Sequence, residues 1–444
     1  VSTSITLKQI NKLAIPALIS GISEPILSIT DTAIVGNIET NAVESLAAVG
    51  IVGTFLSMLI WILGQTRSAI SAIVSQYLGA DNLNAVKNLP AQAIFIITSL
   101  SFIIIAVTYP FAYQIFKLYN ASDLILDNSV LYYKIRVFGF PFTLFTIAVF
   151  GTFRGLQNTY HPMIIAIIGA VTNIILDFVL VYGIKGFIEP MNIEGAAYAS
   201  VIAQIIMAVC SAYFLLKKTS IPLIPTFPFN KEIWRFIIMI VNLFIRTLAL
   251  NITLYFATSF ATGYGKNYIA AYTIAINLWF LGAFIIDGYS GAGNIMSGKL
   301  FGAKNYRDLV NLNKKLIRIG LMVGLVLTLV GFITYRPIGI LFTKEPEVLE
   351  RFYNVFWIVL IMQPVCAIAF IFDGVFKGLG KMATLRNVLL LSTFLVFIPI
   401  LYGLDYADLK LDGIFIALTF WMIARAFPLL IIFRKQFNPL AKNN

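Results

Sequence analysis

Four aspartates stand inside long apolar stretches of this chain: Asp31, Asp177, Asp287 and Asp373. A carboxylate in hydrocarbon costs roughly 2.5–3.5 kcal/mol on insertion scales, so an acid kept there serves either chemistry or a buried partner. Asn173 lies one helical turn before Asp177 and so shares its face. By position along their spans, Tyr132 and Ser200 fall in the same layer as Asp31 and Asp177. Two carboxylates, an amide, a hydroxyl and a phenol are all oxygen ligands, a set that suits a hard cation, with Na⁺ fitting at Asp31, Asn173 and Asp177. Two carboxylates held close together also share one proton more readily than they carry two charges. Cation or proton exchange is therefore the chemistry expected of this group.

The second half carries its own ionisable set, Asp287 and Asp373 with Arg246 and Arg425. Asp287 and Arg246 stand at similar depth, which predicts an ion pair, and Arg425 is then available to Asp373. The alternative use of this set is a substrate or proton site. Glu24 and Arg67 admit the same pairing argument. Pro16 and Pro25 flank Glu24 in the first span; each removes a backbone donor and can bend a helix there.

Such residues need elements that cross a bilayer. Hydrophobic residues make up 59% of the 444 and charged residues only 12%, far too little polar surface for a water-soluble protein of this size. Apolar runs long enough to cross about 30 Å of hydrocarbon as helix recur between short polar loops. The pattern predicts twelve, near 12–37, 44–74, 91–117, 127–153, 162–183, 195–216, 236–262, 268–297, 316–342, 349–376, 384–403 and 412–433. Continuous runs of this kind are helices, not the alternating strands of a barrel. The fold class expected is an all-α membrane protein of two six-helix lobes related by a pseudo-twofold axis along the membrane normal. The lobes are 1–216 and 236–444, with a cytoplasmic linker 217–235 containing Pro222, Pro225 and Pro228.

That symmetry is written in the chain. Shifted by 223 residues, Leu78-Gly79-Ala80 falls on Phe301-Gly302-Ala303, Pro141 on Pro364, and Gly151, Phe153 and Gly155 on Gly374, Phe376 and Gly378. An even number of spans per half gives parallel repeats, an arrangement used by secondary transporters.

Lys and Arg concentrate on one set of loops, among them Lys8, Lys12, Lys217, Lys218, Lys231, Arg235 and the run Lys299 to Arg318. By the positive-inside rule both termini face the cytoplasm, in a multi-pass cell membrane protein such as one of a bacterial inner membrane. The net charge of +12 is spread over many loops, which excludes a nucleic-acid partner and points to anionic headgroups of membrane lipids. Cys210 and Cys366 sit within apolar spans as packing residues. No His-Glu-x-x-His, phosphate-cradling loop or cysteine metal cluster is present, so the chain reads as no enzyme and needs no cofactor beyond a coupling H⁺ or Na⁺.

The segment after span two, Ser75-Gln76-Tyr77-Leu78-Gly79-Ala80-Asp81-Asn82, lacks the Gly-x-x-x-Asp-Arg pattern of the major facilitators. It resembles instead the multidrug and toxic compound extrusion (MATE) family. So do Asp31-Thr32-Ala33-Ile34-Val35-Gly36, Phe153-Arg154-Gly155-Leu156-Gln157-Asn158-Thr159 and Thr172-Asn173-Ile174-Ile175-Leu176-Asp177. Arg246-Thr247-Leu248-Ala249-Leu250 and the stretch Phe372-Asp373-Gly374 to Gly380 are similar to the DinF branch of that family. The resemblance implies efflux of small organic compounds, cationic or amphipathic, coupled to inward H⁺ or Na⁺ flow. It carries a first-lobe cation site onto Asp31, Asn173, Asp177, Tyr132 and Ser200, with Ser200 where the family often has Thr. The working form expected is a monomer that alternates access between the two sides. The competing readings are a lipid-linked or metabolite flippase of the same superfamily and a non-transporting membrane receptor.

Overall fold

The structure is a computed structural model describing residues 5–38, 41–119 and 121–442; the side chains of residues 23–29 lie outside the described residues. The chain is helical nearly throughout. We number its long helices α1 (Leu7–Val35), α2 (Ala42–Gly79), α3 (Leu83–Thr108), α4 (Asp123–Gly155), α5 (Tyr160–Val181), α6 (Asn192–Lys218), α7 (Ile233–Gly263), α8 (Lys266–Gly302), α9 (Tyr306–Phe342), α10 (Pro346–Gly378), α11 (Met382–Tyr406) and α12 (Lys410–Lys442). Among the described residues, α2 to α12 are each long and apolar enough to cross a membrane. α1, 29 residues long, is the remaining long helix. Their outward faces are apolar too: on α9, Leu325, Val326, Leu329, Val330 and Ile333 form a helical stripe with more than half of each side chain exposed. Such a surface belongs in lipid.

Several helices depart from the expected spans. α2 turns at Gly64, α4 tightens to a 3₁₀ turn at Val137–Gly139, and α11 widens to a π-turn at Ser392–Phe397. The third span stops at Thr108 and is followed by a separate short helix, Ala112–Leu118. His161 stands in the first turn of α5 and stacks on Phe153 at 5.2 Å.

The helices form two compact units. One contains Ile19–Val74 and Asn82–Ile240, the other Val241–Asn444 together with Val1–Leu18 and Ser75–Asp81. The start of α1 and the end of α2 therefore pack with second-half helices. In that second unit Gln76 Nε2 donates to the Gly378 carbonyl at 2.7 Å, and Ile10 and Ala14 join Leu309, Leu316, Phe372 and Phe376 in one apolar core. In the first unit Gln92 docks the interhelical linker, donating to the Thr226 carbonyl at 2.6 Å and accepting from the Asn230 amide at 2.8 Å.

The internal repeat has a packing cause. In the first unit Gly151 presses on the Arg67 backbone and Gly155 on Ser71 and Val74; in the second, Gly374 presses on the Ser290 backbone and Gly378 on Asn294 and Ser297. Each residue of the second set is the first-set residue moved on by 223 positions. The α2/α4 and α8/α10 crossings thus use the same register, and a Gly-x-x-x-Gly pair lets the backbones touch in each. A methyl at Gly151 would stand 2.7 Å from the Arg67 carbonyl oxygen, where only backbone could give way. Gly374→Ala and Gly151→Ala are each expected to cost about 1–3 kcal/mol, read as a lower thermal midpoint of the purified protein. Gly50→Ala, with open space around it, is expected to cost nothing; equal midpoints for all three would contradict this packing.

Candidate functional site

The candidate site lies wholly within the first unit. α5 turns a stripe at helical spacing inward, Pro162, Ile165, Ala166, Gly169, Asn173, Asp177 and Val181. Five of these are small, apolar or ring residues that pack, so the two polar members are carried inside with them. Opposite, α6 buries Ala196, Ala197, Ala199, Ser200 and Ala203, small side chains that bring its backbone close to α5 and leave Ser200 within reach. α1 supplies Asp31 one turn before its end, and α4 supplies Tyr132. All five polar residues are buried: Asp31, Tyr132, Asn173, Asp177 and Ser200 expose at most 3%.

Ser200 Oγ gives its one proton to Asp31 Oδ2 at 2.7 Å, and the Tyr132 hydroxyl donates to the same oxygen at 3.3 Å. Hydrogen bonding assigns the Asn173 amide: with its nitrogen toward the acids it donates to Asp31 Oδ1 at 3.3 Å and Asp177 Oδ2 at 3.2 Å, and its oxygen lies 3.3 Å from Ser200 Oγ. The Asp31 and Asp177 carboxyls themselves come within hydrogen-bonding reach. Asp177 Oδ1 is buried and has no hydrogen-bond partner. Two carboxylates that meet away from water repel unless something positive lies between them, and an unpartnered oxygen beside the pair is an open ligand position. The arrangement can hold a proton, or a monovalent cation with the amide, hydroxyl and phenol completing its oxygen shell.

Arg136, one turn beyond Tyr132, was not singled out in the sequence. Its positive charge acts on both Tyr132 and Asp177. The four-residue spacing from Tyr132 was the available signal, but a basic residue at a helix end reads first as a topology marker.

The second unit groups its charges differently from the expected pairs. Arg246 bonds Asp373, not Asp287: Arg246 Nη2 stands 2.5 Å from Asp373 Oδ1. Lys377, one turn along α10, holds the other oxygen, Asp373 Oδ2, at 3.0 Å. Arg425 does not take Asp373 as an ion-pair partner; it lies over Trp421 at 4.6 Å and over Phe370 at 5.6 Å. Asp287 is exposed, on the side of α8 turned away from the buried stripe Gly282, Ile286, Ser290 and Gly293, and makes no ion pair among the described residues. Depth along a helix is legible in a sequence; the direction a side chain takes around the axis, which decides partners, is not. Pro16 is half-buried within α1, two residues before the point where α1 passes from one unit to the other. Glu24 and Pro25 belong to the stretch whose side chains lie outside the described residues.

Twelve long helices, with a buried carboxylate pair in one unit and a buried arginine cluster in the other, define a multi-pass membrane transporter. The MatE family model matches residues 16–179 and 240–402, and the chain belongs to that family, whose members are transporters and not enzymes. The DNA damage-inducible protein F of Escherichia coli (strain K12) is 24% identical over 441 residues, 97% of this chain and 93% of that protein. The probable multidrug resistance protein NorM of Thermotoga maritima is 24% identical over 437 residues, 96% of this chain and 92% of that protein. A crystal structure of a MATE protein in the bent conformation has the same fold, with a TM-score of 0.89 at 21% identity over 98% of this chain and 96% of that one.

The charge grouping in the second unit predicts an order of stabilities. Asp373→Asn removes the one carboxylate that neutralises two cations, whereas Arg246→Met leaves Asp373 paired with Lys377. The thermal midpoint should therefore fall further in Asp373→Asn than in Arg246→Met, and the double variant should show about 0.5–3 kcal/mol of coupling. The reverse order would contradict the grouping.

Proposed function

We propose that the protein is an efflux antiporter that exports small amphipathic organic compounds against an inward flow of H⁺ or Na⁺, with the ion taken up between Asp31 and Asp177. The observation that carries this reading is the buried pair itself, with Asp177 Oδ1 lacking a partner inside a shell of oxygen and nitrogen donors and acceptors. The names of the relatives support it, one being called a multidrug resistance protein. The Asn173 amide suits such a role because it has two satisfied orientations. Without an ion its nitrogen bonds the carboxylates; with a proton or Na⁺ between them its oxygen turns to the ion and its nitrogen to Ser200 Oγ, 3.3 Å away.

α1 is the element that could pass occupancy on. It carries Asp31 in the first unit and begins, before Ile19, in the second. Proline at position 16 withdraws one backbone hydrogen bond close to that passage, which lowers the cost of bending there. An ion at Asp31 that binds better to one bend than to the other shifts the balance between them. In this reading the lobes 1–216 and 236–444 alternate access across a bacterial inner membrane, both termini are cytoplasmic, the protein acts as a monomer, and the ion and lipids are its only other partners. A lipid-linked or metabolite exporter would use the same coupling pair with a different cargo.

The test is efflux from proteoliposomes, driven in separate runs by a sodium gradient and by a pH gradient. Asp31→Asn and Asp177→Asn should each lower gradient-driven efflux at least about tenfold under whichever gradient drives the wild type. Undiminished efflux in both variants would overturn the coupling role. Pro16→Ala and Pro25→Ala should slow transport while leaving ion binding intact; rates unchanged in both would remove bending of α1 from the mechanism.

A further inference from the structure

The second unit buries more positive charge than it neutralises. Arg246, Lys377 and Arg425 surround one carboxylate, Asp373, and electrostatic contact links Arg425 to both Arg246 and Asp373. Arg246, Asp373 and Arg425 expose 7% or less. Among the described residues no carboxylate stands within ion-pair distance of Arg425. Its hydrogen bond goes to the Met422 sulfur at 3.3 Å, a weak acceptor, and its faces meet Trp421 and Phe370. None of these neutralises a charge, and a guanidinium has five N–H donors to satisfy.

This arginine is nevertheless held in place. The Trp421 indole N–H donates to Thr393 Oγ1 at 3.1 Å, and Thr393 shares a 2.9 Å hydrogen bond with Thr253. Thr393 owes its position to the π-turn Ser392–Phe397, a local widening that costs α-helical hydrogen bonding and recurs at functional sites. The chain of contacts runs from the π-turn through Thr393 to the ring on which Arg425 lies. A fixed, buried, under-neutralised guanidinium beside aromatic faces is what recognition of an anion needs.

We propose that the second unit contains a binding site for an anionic group, a carboxylate, sulfonate or phosphate, borne on an apolar or aromatic body. Arg425 and Arg246 receive the anion, Lys377 stands at the most exposed edge of the cluster, and half-buried Phe370 offers a face to the apolar part, while Trp421, fully buried, backs Arg425. The identity of this ligand as transported cargo rests on the exporter reading; its binding does not. The occupant chemistry is shared by a soluble organic anion and an anionic lipid headgroup.

The experiment measures equilibrium binding to the full-length protein in phosphatidylcholine nanodiscs, with no ion gradient. The probes are 2-naphthoate, naphthalene-2-sulfonate and a naphthyl trimethylammonium of the same ring. The two anions should bind and displace each other, and the ammonium probe should not displace them. R425Q and K377Q should each weaken anion binding at least about tenfold. R425K keeps the charge but loses the planar fork, and should weaken the anions by less than R425Q does. K377Q, at the cluster's edge, serves where an Arg425 variant does not fold. Adding phosphatidylglycerol to the discs separates the two sources: suppression of the anionic probes assigns the site to a lipid headgroup, unchanged binding to a soluble anion, and both outcomes support the site. Anion affinity unchanged in K377Q and the Arg425 variants, or displacement of the anions by the ammonium probe, would overturn it. Loss of anion binding in a protein that still transports would leave the exporter reading standing.

Discussion

Two carboxylates cannot be buried side by side away from water without something positive between them, and the architecture of the first unit follows from that constraint. Small residues on α6 bring its backbone to α5, the α5 stripe carries Asn173 and Asp177 inward, and α1 closes the group with Asp31. Tyr132, Ser200 and the Asn173 amide bond the pair at Asp31 Oδ1, Asp31 Oδ2 and Asp177 Oδ2, and Asp177 Oδ1 is left without a partner. The second unit answers the same problem with the opposite sign: a single acid among three cations, one of them stacked on aromatic rings in place of a carboxylate partner.

These two solutions sit on one repeated scaffold. Gly151 and Gly155 against α2, and Gly374 and Gly378 against α8, fix the same helix crossing in both halves. The acids do not repeat: shifted by 223 residues, Asp31 falls on Leu254 and Asp177 on Ile400. Backbone contact conserves glycine because only glycine fits, whereas the polar positions are free to differ once the crossing is set. The two halves thus share their geometry and diverge in charge.

Much of this was legible from residue order. Apolar length gave the helices, the 223-residue offset gave the shared crossing, and depth along each span brought Asp31, Tyr132, Asn173, Asp177 and Ser200 into one layer that the structure joins by hydrogen bonds. What depth does not give is direction around a helix axis. Asp287 turns to the exposed side of its helix while Arg246 is buried, so Arg246 meets Asp373, and Lys377, one turn along α10, completes that pair. The π-turn that sets Thr393 has no sequence mark beyond ordinary residues, and Arg136 was hidden among bases that report topology.

The central claim is that the coupling ion is held by Asp31 and Asp177. Infrared difference spectra of the carboxyl stretch, recorded as protons or Na⁺ are titrated onto the purified protein, read that occupancy directly. The expected result is an ion-dependent carboxyl change that disappears in Asp31→Asn and in Asp177→Asn and persists in Asp373→Asn. The same change surviving in both first-unit variants, or vanishing in Asp373→Asn, would contradict it.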